Sequence, residues 1–205
     1  MLFHNAIIEK LIFKPFVFIT LKRLINTFVK LFFYLKIFIR FVFFIGKMIL
    51  VSMCLAGINC NYKGESKPSE RVVELIKAGK AIPVCPEQLG GLPTPRSGAR
   101  ILSGNGHDVL DNKTRLVTDD GLDVTEQYVK GAHLVLEICK MFNITEVVLK
   151  QGSPSCGKGK TQGGETERML VNGDGVTVAL LKRNGIEVYS EDDLQDEVIW
   201  KKLIA

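Results

Sequence analysis

Five cysteines are spread through the 205-residue chain, and three of them occupy comparable places in it. Cys54 directly follows the apolar run 49–53 (ILVSM), Cys85 directly follows 80–84 (KAIPV), and Cys156 lies in the loop after 145–150 (TEVVLK). Thiolates are soft donors, and three of them in one place suit an iron–sulfur cluster, zinc or copper. None of the three belongs to a CxxC pair, the usual spacing of a closed structural zinc site. Each sits instead beside Gly or Pro: Leu55-Ala56-Gly57, Pro86-Glu87, and Pro154-Ser155 with Gly157. Small neighbours let backbone amides approach cluster sulfides, and such hydrogen bonds tune the potential. Three protein ligands would also leave one iron open to a substrate. Cys139, on the apolar stripe of a helix, and Cys60, in a polar loop, read as buried small side chains.

Cysteines 31 and 71 residues apart meet only if the fold brings them together. The apolar runs suit strands buried on both faces. Helices are expected between them: 70–78, stopped by Gly79; 123–142, opened by Asp123 or Thr125; 174–184, closed by Gly185; and a last helix over 191–201. A fourth strand is expected over 186–189. Residues 86–122, rich in Gly, Pro and Asp, read mostly as a long functional loop. Alternating strands and helices imply right-handed βαβ units. The expected fold is thus a compact Rossmann-like α/β domain on a parallel sheet. Ligands of such sheets bind beyond the carboxyl ends of the strands, which is where Cys54, Cys85 and Cys156 stand.

Composition splits the chain near residue 48. Residues 1–47 hold eight Lys/Arg against one acid, eleven of the twelve Phe and one of the nineteen Gly. The remainder holds nineteen Lys/Arg against twenty-one acids, so the body carries no electrostatic footprint for nucleic acid. Residues 1–47 are read as an apolar, basic extension outside the native domain, with translation starting at Met48. The alternative is a membrane anchor, although Lys30, Lys36 and Arg40 interrupt the best apolar window. Residues 48–205 form the domain. An odd number of cysteines and no secretory signal argue against a disulfide framework and for the cytoplasm.

Four stretches are more specific: 48–64 (MILVSMCLAGINCNYKG), 82–96 (IPVCPEQLGGLPTPR), 121–125 (GLDVT) and 149–157 (LKQGSPSCG). In this order they resemble domain-of-unknown-function family 523 (DUF523), whose characterised members are 2-thiouracil desulfidases. The resemblance covers essentially all of 48–190. It implies a 4Fe–4S cluster held by Cys54, Cys85 and Cys156, with the fourth iron taking sulfur from a small-molecule substrate. Desulfuration of a thiocarbonyl also needs a base to activate water and donors for the developing charge. Glu87, two residues past Cys85, is the candidate acid/base; Ser153 and Ser155 are candidate hydroxyl donors; Lys150 is a candidate holder of an anionic substrate or product. The alternative is a non-catalytic iron–sulfur or zinc module in sulfur handling or electron transfer. His107 and His133 belong to no spaced ligand pair. Gly104-Asn105-Gly106 is set aside as a phosphate loop, for want of a flanking strand and helix.

Overall fold

Strand β1 (Ile49–Ser52) is buried at all four positions, as its uninterrupted apolar run requires. It pairs in parallel with β2 (Ala81–Val84) on one side and β5 (Glu146–Leu149) on the other. Strand β5 pairs in parallel with β8 (Glu187–Ser190), giving the order β2-β1-β5-β8. The computed structural model describes residues 47–205 together with Lys30 and Tyr34. The reading of 1–47 as an extension or anchor therefore lies almost wholly outside the described residues. Among those described, no helix is long and apolar enough to cross a membrane.

Side chains alternate across the sheet. Leu50, Val147, Leu149 and Val188 point to one face, where they meet helices α4 (Thr125–Met141) and α5 (Val176–Arg183) through Val135, Leu136, Val178 and Leu181. Ile49, Val51, Val148 and Tyr189 point to the other face. They pack on α1 (Glu70–Lys77) through Val72 and Leu75, and on α6 (Glu197–Ile204) through Leu203. Each fully buried Leu or Val contributes about 1.5–3 kcal/mol of apolar burial, so both faces hold the sheet flat against its helices.

The expected parallel sheet is present, and three expectations need correction. First, 86–122, though mostly loop as expected, is not loop throughout. It holds the short helix α2 (Pro86–Leu89), strand β3 (Ala99–Ile101), helix α3 (Gly106–Leu110) and strand β4 (Leu116–Thr118). With β6 (Lys160–Gly163) and β7 (Met169–Asn172) the two strands build a second, mixed sheet in the order β4-β3-β6-β7. Second, a strand and a helix do flank Gly104-Asn105-Gly106. Asn105 accepts from the His107 N–H and donates its own N–H to Asp108, a capping box. His107 then bonds outward, accepting from Arg183 at Nδ1 and facing Asp174 across 3.5 Å. Third, the last helix does not run unbroken over 191–201. A 3₁₀ turn (Asp193–Gln195) precedes it, and Asp196 caps α6 by accepting from the N–H groups of Val198 and Ile199.

Candidate active site

Beyond the carboxyl ends of β1, β2 and β5, and facing the second sheet, lies a cavity of about 430 Å³. Its wall carries Cys54, Cys85 and Cys156, the three thiols expected there, and a fourth, Cys60.

Each thiol is delivered by a different device. Cys54 sits in a 3₁₀ turn (Met53–Ala56) that continues directly from β1, and Gly57, at φ 90°, bends the chain away behind it. Cys85 precedes α2, with Pro86 at the first helical position. That helix is one turn long and is held by backbone contact. A methyl group on Gly90 would stand 2.0 Å from the Gln127 carbonyl of α4, and one on Gly131 of α4 would stand 2.0 Å from the Pro86 carbonyl. Cys156 lies in a loop closed on itself. Gln151 accepts from the Gly152 and Lys158 N–H groups and donates to the Lys158 carbonyl. The second sheet clamps the same loop, since Thr161 donates to the Ser153 carbonyl and Gln162 to the Gly152 carbonyl.

Glu87, in the first turn of α2, is 8 % exposed and its carboxylate faces the thiols. Oε2 accepts from the Cys85 thiol at 3.3 Å, and Oε1 accepts from the Ser153 hydroxyl at 3.4 Å. Ser153 in turn accepts from the N–H groups of Ser155 and Cys156, each at 3.1 Å. Thus one hydrogen-bonded chain links the Cys156 loop, a hydroxyl, a buried carboxyl and Cys85. Arg96 approaches the carboxylate at 3.8 Å, and its side chain is only 7 % exposed.

Two other sequence candidates fare differently. Ser155 is fully buried, pairs with the Thr177 hydroxyl at 2.8 Å and is not among the cavity-lining residues, so it is not brought to the site. Lys150 does line the cavity, but its ammonium pairs with Glu191 at 2.5 Å and donates to the Gln151 carbonyl. Its charge is already matched.

Sequence reasoning passed over several residues of the wall. Ser52 is buried at the end of β1, accepts from the Lys150 N–H and reaches the Cys156 thiol. Arg96 donates to the Cys60 carbonyl, and its Nε is buried with no partner among the described residues. Tyr128 enters from α4, and burial raises its phenol well above the usual range. At the rim the Arg168 guanidinium lies 4.8 Å from the Tyr62 ring centroid. Only Ser52 carried a signal, as a polar residue ending a buried strand beside a candidate ligand.

The thiols are not equivalent. Cys54 is lowered, chiefly by the hydrogen bond from Cys60, whereas Cys60 is raised by hydrogen bonding with Cys54 and Cys85 and so keeps its proton. Burial, and next the Glu87 charge, push Cys156 up. Metal uptake through Cys156 would therefore release its proton. Among the described residues, no three His, Cys, Asp or Glu side chains form a group able to hold a metal ion.

A family model described as 2-thiouracil desulfurase matches residues 49–193. The chain belongs to the 2-thiouracil desulfurase family. The desulfurase match spans all three strand-end cysteines, Glu87 and Ser153. Among the relatives, a protein of Bacillus subtilis (strain 168) named as the uncharacterised protein YbbK is 47 % identical over 149 residues, which is 73 % of this chain and 99 % of that protein. A solved structure of a 4Fe–4S-dependent thiouracil desulfidase, TudS (DUF523Vcz), is 41 % identical, with a TM-score of 0.66 over 77 % of this chain and 99 % of that one. The fold is thus shared over most of the chain.

Proposed function

We propose that this protein is a desulfidase acting on a small thiolated base such as 2-thiouracil, with a 4Fe–4S cluster held by Cys54, Cys85 and Cys156. The observation that carries the reading is the shared cavity. Three thiols from three strand ends face it together with a buried carboxyl already hydrogen-bonded to a hydroxyl. The donor set fits the group: it is soft, its three thiols line one cavity, and in the same wall Arg96 has a buried N–H without a partner among the described residues. When bound, the cluster supplies a soft Lewis acid for the substrate's sulfur.

The chain's own residues do the rest. Glu87 accepts a proton from the water that attacks the thiocarbonyl carbon, and the carbon–sulfur bond gives way to carbon–oxygen. Water is consumed and sulfide released, so the reaction needs no oxidant or reductant. Ser153 orients Glu87 and is itself fixed by two backbone N–H groups, so neither swings during the proton transfer. Tyr128 and Arg96 close the wall around the carboxyl and keep bulk water out. The near-neutral body and the reduced cysteines fit a cytoplasmic enzyme with a small-molecule substrate and no nucleic-acid partner.

Anaerobically purified full-length protein is expected to be brown, to contain iron and inorganic sulfide, and to release sulfide and uracil in equal amounts from 2-thiouracil. Iron and sulfide without turnover would make the protein a non-catalytic cluster carrier. Colourless protein containing zinc would remove the cluster.

The domain of 48–205 is part of the same proposal. A chain beginning at Met48 is expected to fold and to take up as much iron as the full chain. It loses Lys47, which pairs with the buried Glu146, but Lys202 still holds that carboxylate at 2.6 Å. Aggregation of the shorter chain, with the full-length protein recovered from membranes, would make residues 1–47 an anchor.

A further inference from the structure

Three of the thiols at the cavity have been given to the cluster, and the fourth has not. Cys60 is 1 % exposed, lies six residues after Cys54 in the same stretch of loop, and shares the cavity wall with Cys54 and Cys85. A polar loop would not ordinarily bury a cysteine. Here Asn61 folds the loop back by accepting from the N–H groups of Lys63 and Glu65, while the Cys60 and Asn61 N–H groups both donate to the Glu65 carbonyl. Arg96 anchors the Cys60 carbonyl from the other side.

The four thiols differ in access. Cys54 is half-buried, and the other three are buried. They differ also in engagement, because the Cys85 thiol donates to the Glu87 carboxylate and Cys156 reaches Ser52. Cys54 is thus the thiol a small oxidant meets first, and Cys60 is the neighbour positioned to resolve it. Accessible and resolving thiols paired in this way are the usual arrangement of reversible cysteine oxidation.

We propose that Cys54 and Cys60 close to a reversible disulfide when the cavity lacks its metal group and the protein meets a peroxide. The Cys54 sulfur attacks one peroxide oxygen, the oxygen–oxygen bond breaks, and water departs to leave a sulfenic acid. The Cys60 sulfur then attacks Cys54, the sulfur–oxygen bond breaks, and a second water carries off the remaining thiol proton. Two thiols lose two electrons in all, and one peroxide becomes two waters. Without Cys60 the sulfenic acid proceeds to sulfinic and sulfonic acids, which are not recovered by thiols. The pair would thereby preserve a ligand through periods without metal. That consequence rests on Cys54 being a cluster ligand, whereas the disulfide itself does not.

Full-length protein is stripped of iron with a chelator under argon and given one equivalent of hydrogen peroxide. Intact mass is expected to fall by two hydrogens, and peptide mapping to join Cys54 to Cys60. Dithiothreitol should reverse both, and iron uptake from iron and sulfide should return to that of the unoxidised sample. In Cys60→Ser the mass should instead rise by two or three oxygens on Cys54, with most iron uptake lost relative to that variant's own unoxidised sample. Cys60→Ala should behave like Cys60→Ser, which separates the missing thiol from any local misfolding. A cross-link from Cys54 to Cys85, or equal oxygenation of Cys54 with and without Cys60, would overturn the proposal. Failure of the unoxidised protein to take up iron would count against the cluster, and the masses would still decide the disulfide.

Discussion

Replacing Cys54, Cys85 or Cys156 by alanine is expected to reduce iron content to background in each case, measured on anaerobically reconstituted protein. The three thiols come from three separate elements, so none can stand in for another without moving a strand end. Binding free energy at a thiolate site is large and depends on every ligand. Cys139→Ala is the control. That side chain is 1 % exposed in the core beneath α4, where burial pushes its thiol up to about 11, and nothing aims it at the cavity. Its loss leaves a small void and should leave iron uptake intact. Unchanged iron in any of the first three variants would remove that residue from the site.

The second large effect is on chemistry. Glu87→Gln is expected to keep the brown cluster and lower sulfide release from 2-thiouracil by about 10²–10⁴-fold, the usual contribution of general acid–base catalysis. Glutamine keeps the shape and can still accept from Ser153 through its one oxygen, while its N–H₂ can only donate on the side facing Cys85. It does not keep the charge facing Arg96, whose side chain is 7 % exposed. Leaving a buried charge uncompensated costs about 3–5 kcal/mol when the pair is close, and at 3.8 Å the cost should fall toward the lower end. A lowered melting temperature with iron retained is therefore part of the expected result. Full activity with the cluster intact would place the base elsewhere, and Ser153 would be the next residue to change.

The parallel sheet was legible because strands buried on both faces leave a plain trace, and 49–52, 81–84 and 146–149 are apolar with little interruption. The second sheet left no such trace. Strands β3 and β4 have three residues each, β3 carries Arg100 in its middle, and β7 is largely exposed. Arg100 is buried nonetheless, because the carbonyls of Gly164, Thr118 and Glu165 accept its guanidinium. That pairing exists only after the sheet has formed. Composition could therefore report a loop and miss that the loop is the far wall of the site.

At the level of single residues, legibility followed how far each depended on distant partners. Cys54, Cys85 and Cys156 could be placed from the strand ends alone. Ser153 and Ser155 look alike in the sequence and part company in the fold: the first hydroxyl meets Glu87, and the second meets Thr177. The sequence offers no way to choose between them, since the choice lies in how α5 closes over the loop. Cys60 could be read as buried, but not as part of the cavity wall, because its place there depends on the way Asn61 folds the loop.

The bare contact between Gly90 and Gly131 sets a limit on how this site can vary. One turn of helix has no stability of its own, so α2 takes its position from the backbone of α4 as a key takes its position from a lock. Cys85, just ahead of that key, and Glu87, in its first turn, are the proposed ligand and the proposed base. Any side chain grown at the seam shifts both by the same displacement. On the proposed roles, affinity for the group and competence in proton transfer would be a single inherited trait, and a lineage that reshaped the pocket for a different thiolated molecule would have to do so from the opposite wall, where Tyr62, Gln162 and Arg168 are free of that constraint.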